Sequence, residues 1–357
     1  MKGIGPITII GAGSWGTALA KLLGDQGLEV RLWVYEQEVC EALRQTQSNP
    51  VYLPGVALAD RVDATTEFDE ALDGAAVVCF VVPSHVLRQV AAECAPCLPR
   101  RALLVSATKG IEVETGMLPA QVLGDVLGGD VVDRLAVLSG PSFAVEVARG
   151  LPTAVTVAAP DEEIGRKLQE TLATPVFRVY LSSDVVGVQL GGAVKNVIAI
   201  ATGIADGIGL GHNTRAALIT RGLAEIMRLG RALGADPLTL SGLSGLGDLV
   251  LTCTSELSRN RTLGYRIGRG EALERIVRTT PMVAEGVRTS TAVVRLAERM
   301  GVEVPICRQV HAILHEGKRP HEAVRELLAR TLKAEQAPVG SRPPTEPVDP
   351  SAESADS

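Results

Sequence analysis

An amine stands inside an apolar run at residues 190–200, where Lys195 and Asn196 have Gly191 and Gly192 on one side and Val197, Ile198, Ala199 and Ile200 on the other. Burying an ammonium is costly unless an anion pairs with it, and desolvation lowers its pKa towards the range where it trades protons at neutral pH. The plainer alternative is a lysine whose stem lies in the core and whose head reaches water. Lys109 ends the stretch SATK just beyond a strand-like run, and Asp248 follows SGLSGLG. Ser258, Arg259 and Asn260 stand side by side near a helix start. A guanidinium fork beside amide and hydroxyl donors suits a phosphate, although the same three residues also read as an N-cap serine next to a solvated arginine. Gly140, Pro141, Ser142 and Phe143 form a turn whose backbone amides can cradle an anion or a carboxamide.

A further set of residues suits a dinucleotide. ITIIGAGSWGTALAKLLGDQG carries Gly11, Gly13 and Gly16 in the order GxGxxG, after a strand pattern and at the opening of a helical one. In that context the first glycine makes a tight turn and the second admits a pyrophosphate to the backbone. The third packs helix on strand, and the helix N-terminus faces the diphosphate. The second strand pattern ends in LWVYEQE, where Glu36 can accept from the adenosine ribose hydroxyls, and no arginine stands at Val34, Tyr35 or Glu36 to meet a 2′-phosphate. That favours NAD. Lying a residue or two beyond the usual acidic position, Glu36 would instead be a solvated loop acid, so NAD and NADP both stay open.

These groups need a frame that brings distant positions together. ITIIGAG, EVRLWVY, AAVVCFVVPS, ALLVSATKG, LAVLSGPSF and TAVTVAAP read as strands, bounded by Gly, Pro or Ser and separated by helical spacing. Near-continuous apolar strands alternating with helices predict a doubly wound, mostly parallel, Rossmann-like sheet covered on both faces, over residues 1–183. From about Asp184 helical patterns follow one another, each closed by Gly or preceded by Pro, which predicts an all-helical second domain over 184–335. The last stretch, 336–357, is rich in Pro, Ser and acid, and it is expected to be a disordered tail.

Bulk properties remove several classes of function. Only 3% of residues are aromatic and the net charge is −6, which argues against single-strand stacking platforms and against a nucleic-acid-binding surface. Six cysteines in 357 residues make no disulfide framework, the Cys94–Cys97 pair has no partner pair at zinc spacing, and His311 and His315 lack the zincin glutamate, so no metal is expected. The N-terminus has too short an apolar stretch for a signal peptide, and no later run reads as a membrane span. A cytoplasmic protein with no integral membrane segment is the expectation, and a homodimer is the commonest assembly for such a chain.

Taken in order, GAGSWGTALA, VPSHVL, SATKGIE, LSGPSFAVEVARGLPTAV, GGAVKNVIAIATGIADG, GLSGLGDLVLTCTSELSRNR and MVAEGVRT closely resemble the bacterial-type NAD(P)-dependent glycerol-3-phosphate dehydrogenases, over roughly residues 4 to 333. The resemblance implies interconversion of dihydroxyacetone phosphate and sn-glycerol 3-phosphate, an entry to phospholipid synthesis. It implies cofactor contacts at Ser14, Trp15, Ala144, Val283 and Glu285, with Tyr35 and Glu36 at the adenosine end. Lys109, Gly140 and Ser142 would bind the glycerol phosphate, with Lys109 also near the cofactor. Lys195 would be the proton donor and acceptor, and Asp248, Ser258, Arg259 and Asn260 would complete the substrate site, Arg259 reaching the cofactor as well. Family members often carry arginine or histidine where this chain reads Val34-Tyr35-Glu36, which argues against a strict preference for NADP. Two rival readings keep parts of this picture: a related dehydrogenase acting on a hydroxy acid, and a regulator that binds NAD(P) without chemistry.

Overall fold

The first apolar run, Ile7–Ile10 (β1), is buried at every side chain, as a central strand covered on both faces must be. In the computed structural model, which describes residues 5–279, 284–332 and 335, the strands that follow are Val30–Trp33 (β2), Ser48–Asn49 (β3), Leu53–Ala57 (β4), Val62–Thr65 (β5), Val77–Phe80 (β6), Leu103–Ser106 (β7), Leu135–Ser139 (β8), Thr153–Ala158 (β9) and Phe177–Ser182 (β10). Eight of them form one sheet in the order β10-β9-β8-β7-β6-β1-β2-β5, parallel throughout except where β9 runs against β8. Ile7 and Ile9 feed the apolar core on one face and Ile10 the core on the other, so the sheet is covered on both sides by helices.

All six strands expected from sequence form. Those missed are the β3–β4 ladder, β5 and β10. Their chemistry explains it: β5 and β10 sit at the two edges, and in β10 buried Phe177 and Val179 alternate with exposed Arg178 and Tyr180. An edge strand keeps a polar side, so it lacks the continuous apolar run that marks the central strands.

From β1 the chain winds outward through β2 to β5, then returns to the opposite flank of β1 as β6. This reversal opens a crevice beyond the carboxyl ends of β1 and β6, the usual ligand position in such sheets. The glycine loop lies there.

After β10 the described chain is helical. The Val185–Gly207 helix starts under the side chain of Asp184, which accepts from Gly187 N at 2.7 Å, and nearly all of it is buried among its neighbours. One expectation needs correction here: this helix is long and apolar enough to cross a membrane, so a run of span length does exist. Its faces are taken by protein, and Lys195, Asn196 and Asp206 interrupt it, which is the pattern of a core helix. The expected tail at 336–357 lies outside the described residues.

The Arg259–Gly268 helix crosses the long helix at backbone distance. A Cβ on Gly264 would come within 2.2 Å of Ile200 O, and one on Gly203 within 2.0 Å of Arg261 O. Glycine costs a helix about 1 kcal/mol relative to alanine, and here that cost brings the start of one helix against the lysine-bearing turn of the other. Gly264→Ala is therefore expected to destabilise the protein by about 1–3 kcal/mol, as overpacking of a core contact does. Denaturant unfolding checks this, and a change below about 0.5 kcal/mol, typical of a surface substitution, would contradict it.

Candidate active site

The long helix carries Lys195 in its middle, and its ammonium meets the carboxylate of Asp248 and the hydroxyl of Thr252, the latter at 2.9 Å. Asp248 opens the Asp248–Thr254 helix directly after a π-helical turn, Leu243–Gly247, in which Gly247 N donates to Gly242 O. That turn lies on the long helix at Gly191, where a Cβ would stand 2.5 Å from Ser244 O. Gly191 thus admits a neighbouring backbone and so seats Asp248 beside Lys195.

Asp248 is 1% exposed and binds a second amine, Lys109, at 2.7 Å from its other oxygen. Lys109 also donates to Gly140 O at 3.1 Å, and Ser142 Oγ donates to the same carbonyl at 3.0 Å. Two strand ends, β7 and β8, are thereby joined to the helical half through one carboxylate. Gly140 has φ +144°, and a side chain there would press on Val155 of β9. Burial pushes the Lys195 ammonium down to about 7; the Asp248 charge opposes that and the Lys109 charge adds to it. A depression of this size is worth several kcal/mol of discrimination against the charged form.

The Ser258–Arg259–Asn260 set divides its work. Ser258 is the helix N-cap, accepting from Arg261 N at 3.2 Å, as the capping alternative expects. Asn260 is buried, donates to Asn196 Oδ1 at 3.0 Å and accepts from Gly286 N at 2.9 Å, which ties the residue after Lys195 to the start of the Glu285–Arg299 helix. Arg259 is exposed to solvent; desolvation by the groups around it lowers its guanidinium pKa while the charge of Glu285 raises it. Glu285 reaches across to the end of β6, accepting from Ser84 Oγ at 2.8 Å and Ser84 N at 3.3 Å, and burial raises its carboxyl pKa.

At the glycine loop, Gly11 has φ +113°, and a Cβ on Gly16 would lie 1.9 Å from Gly11 O, so both are required by the turn itself. Gly13 differs: its Cβ would meet nothing within 4 Å. It caps the Ser14–Gly24 helix without a side chain, leaving room over the first-turn amides for a diphosphate. This open cradle fits a dinucleotide. Ser14 Oγ donates to Tyr52 O at 2.7 Å, and Trp15 packs into the core with its ring 6.4 Å from that of Phe177. Tyr35 is 77% exposed beyond β2. Glu36 starts the next helix and accepts from Tyr52 Oη at 2.7 Å, a bond that pushes the phenol up to about 12.

Lys109, Gly140, Ser142, Lys195 and Asp248 are thus joined in one hydrogen-bonded cluster, with Asn260 linked to it through Asn196. Ala144 begins the helix after the GPSF turn. Gly11, Gly13, Ser14, Trp15, Gly16, Tyr35 and Glu36 gather at the ends of β1 and β2, while Val283 lies outside the described residues. Thr252, Ser84 and Tyr52 join the site from outside the set expected from sequence. Thr252 had a signal, standing four residues after Asp248 on the same helical face.

The chain matches known proteins in sequence and in fold. Family models described as the N-terminus and the C-terminus of NAD-dependent glycerol-3-phosphate dehydrogenase match residues 6–165 and 184–325. The chain belongs to that family. It is 53% identical over 329 residues to the glycerol-3-phosphate dehydrogenase (NAD(P)+) of Citrifermentans bemidjiense, covering 92% of this chain and 98% of the relative. The protein of the same description from Geobacter metallireducens is 54% identical over 330 residues, with the same coverage. The crystal structure of glycerol-3-phosphate dehydrogenase from Coxiella burnetii superposes with a TM-score of 0.88 at 42% identity, covering 92% of this chain and 99% of the other.

Gly13 offers a clean test of the cradle. Gly13→Val is expected to cost no more than about 1 kcal/mol of stability, the scale of a poorer N-cap, while lowering NADH affinity at least about tenfold. Fluorescence titration with NADH reads the second quantity; unchanged affinity would remove the dinucleotide from this loop.

Proposed function

We propose that this chain interconverts dihydroxyacetone phosphate and sn-glycerol 3-phosphate with NAD(P)H, acting as a cytoplasmic homodimer whose product serves phospholipid synthesis. The observation that carries the reading is the Lys109–Asp248–Lys195 cluster at the carboxyl ends of β7 and β8. The glycine loop follows the carboxyl end of β1, which runs parallel to β7 and β8, so both lie beyond the same edge of strand ends. The bound nicotinamide supplies hydride to the ketone carbon, or takes it back. Gly11, Gly13, Ser14, Trp15 and Gly16 would hold the diphosphate, with Tyr35 and Glu36 near the adenosine.

Lys195 does the proton work. With its pKa at about 7, both forms are well populated near neutrality: the ammonium protonates the oxygen of the ketone as it becomes an alcohol, and the amine removes that proton in reverse. Its positive charge, with that of Lys109, steadies the negative charge that gathers on the oxygen. Asp248 keeps both amines aimed at one point without leaving either cation unpaired. Thr252 takes a second direction of the Lys195 head and narrows its rotamers. Arg259, with Ser258 and Asn260 behind it, holds the phosphate end, so remote binding energy is spent on orienting the carbonyl.

The hydroxy-acid alternative is not favoured, because relatives with more than half of their residues identical carry the glycerol-3-phosphate name. A purely sensing protein has no use for a buried amine shared with a second lysine on one carboxylate.

Lys195→Met is expected to lower kcat by at least about 10²-fold while NADH still binds. A loss smaller than about tenfold in an NADH absorbance assay would mean another group carries the proton. Arg259→Ala should raise KM for dihydroxyacetone phosphate at least about tenfold and KM for NADH far less. Equal effects would move Arg259 to the cofactor.

A further inference from the structure

Asp206 lies in the last turn of the long helix with its side chain 7% exposed, outside every group assigned above. Each of its oxygens faces a guanidinium. Oδ1 accepts from Nε (3.0 Å) and Nη2 (2.8 Å) of Arg215, and Oδ2 accepts from Nε of Arg261 at 3.0 Å, with Nη2 of Arg261 2.8 Å away in the same ion pair. Arg215 belongs to the Gly211–Ala232 helix and Arg261 to the first turn of the Arg259–Gly268 helix, so one carboxylate pins three helices. A fork of this kind fixes direction as well as distance, which a single ammonium would not.

Arg261 stands two residues after Arg259, so their side chains leave the helix about 200° apart. Arg261 turns inward to Asp206, and Arg259 leaves the opposite side of the helix and is exposed to solvent. The backbone of Arg261 is held as well: its N–H is the one that Ser258 caps, and its carbonyl abuts Gly203 so closely that a Cβ there would lie within 2.0 Å. The turn that presents Ser258, Arg259 and Asn260 therefore has its rotation set from behind, by the side chain and the backbone of one residue.

We propose that Asp206 is a positioning residue for the phosphate site, acting through Arg261 to set the direction in which Ser258, Arg259 and Asn260 present their donors. The inference rests on the reading of those three residues as the phosphate site. Asp206→Asn keeps the shape, removes the charge and turns an amide donor towards one of the two guanidiniums.

The test is steady-state kinetics of the full-length wild type and of Asp206→Asn, Arg261→Met and the double variant, with dihydroxyacetone phosphate and NADH varied separately. Asp206→Asn and Arg261→Met should each raise KM for dihydroxyacetone phosphate about tenfold, with kcat and KM for NADH within about threefold of wild type, because only the phosphate grip is misaligned. The double variant should be no worse than either single one, since both break the same contact. Arg261→Lys, which keeps the charge and loses the fork, should fall in between and serves where Asp206→Asn fails to fold. Unchanged KM for dihydroxyacetone phosphate, KM for NADH rising in step, or multiplying effects in the double variant would each overturn the positioning role. A wild type that does not turn over dihydroxyacetone phosphate would overturn the functional reading itself, and with it this inference.

Discussion

A single carboxylate shared by two amines organises this protein. Asp248 is almost wholly buried, and burying a charged group is costly unless its partners are close and hydrogen-bonded. Lys109 and Lys195 meet that demand from opposite halves of the chain, one from a strand end and one from the middle of the longest described helix. Much of the surrounding architecture follows. A π-helical turn seats Asp248, Gly191 lets that turn touch the long helix, and the carbonyl of Gly140 holds Lys109 at the correct end of the sheet.

The cluster carries two cations on one anion, and this surplus gives it chemistry. Burial and the neighbouring Lys109 charge lower the Lys195 pKa, Asp248 restores part of the loss, and the balance falls near neutrality. An amine at its ordinary value of about 10.4 would hold its proton too firmly to take one from an alcohol. An isolated buried amine would lose it too readily to protonate a ketone. The fold fixes this compromise by geometry: the sheet fixes Lys109, the helices fix Lys195 and Asp248, and the close helix crossing at Gly203 and Gly264 brings the arginine-bearing turn alongside.

Much of this is legible in the sequence. The central strands announced themselves because burial on both faces demands unbroken apolar runs, and the glycine spacing marked the cradle because each glycine answers a different steric demand. Lys195 stood out because an amine in such a run needs a reason. What stayed hidden depends on contacts between distant segments. Edge strands β5 and β10 keep polar sides. Tyr52 matters only because β4 and its turn fold back to bring it to Glu36, and Ser84 only because Glu285, some two hundred residues later, reaches it. The long helix has the length and hydropathy of a membrane span, contrary to the expectation from sequence, and its packing shows it to be core.

The shared-carboxylate account is tested most directly by the pH dependence of kcat/KM in both directions, with dihydroxyacetone phosphate and NADH in one and sn-glycerol 3-phosphate and NAD in the other. Ketone reduction needs the ammonium and should fall as pH rises through about 7; alcohol oxidation needs the free amine and should rise through the same value. Profiles that stay flat across about one unit either side of that value, or that move in the same sense in both directions, would contradict it.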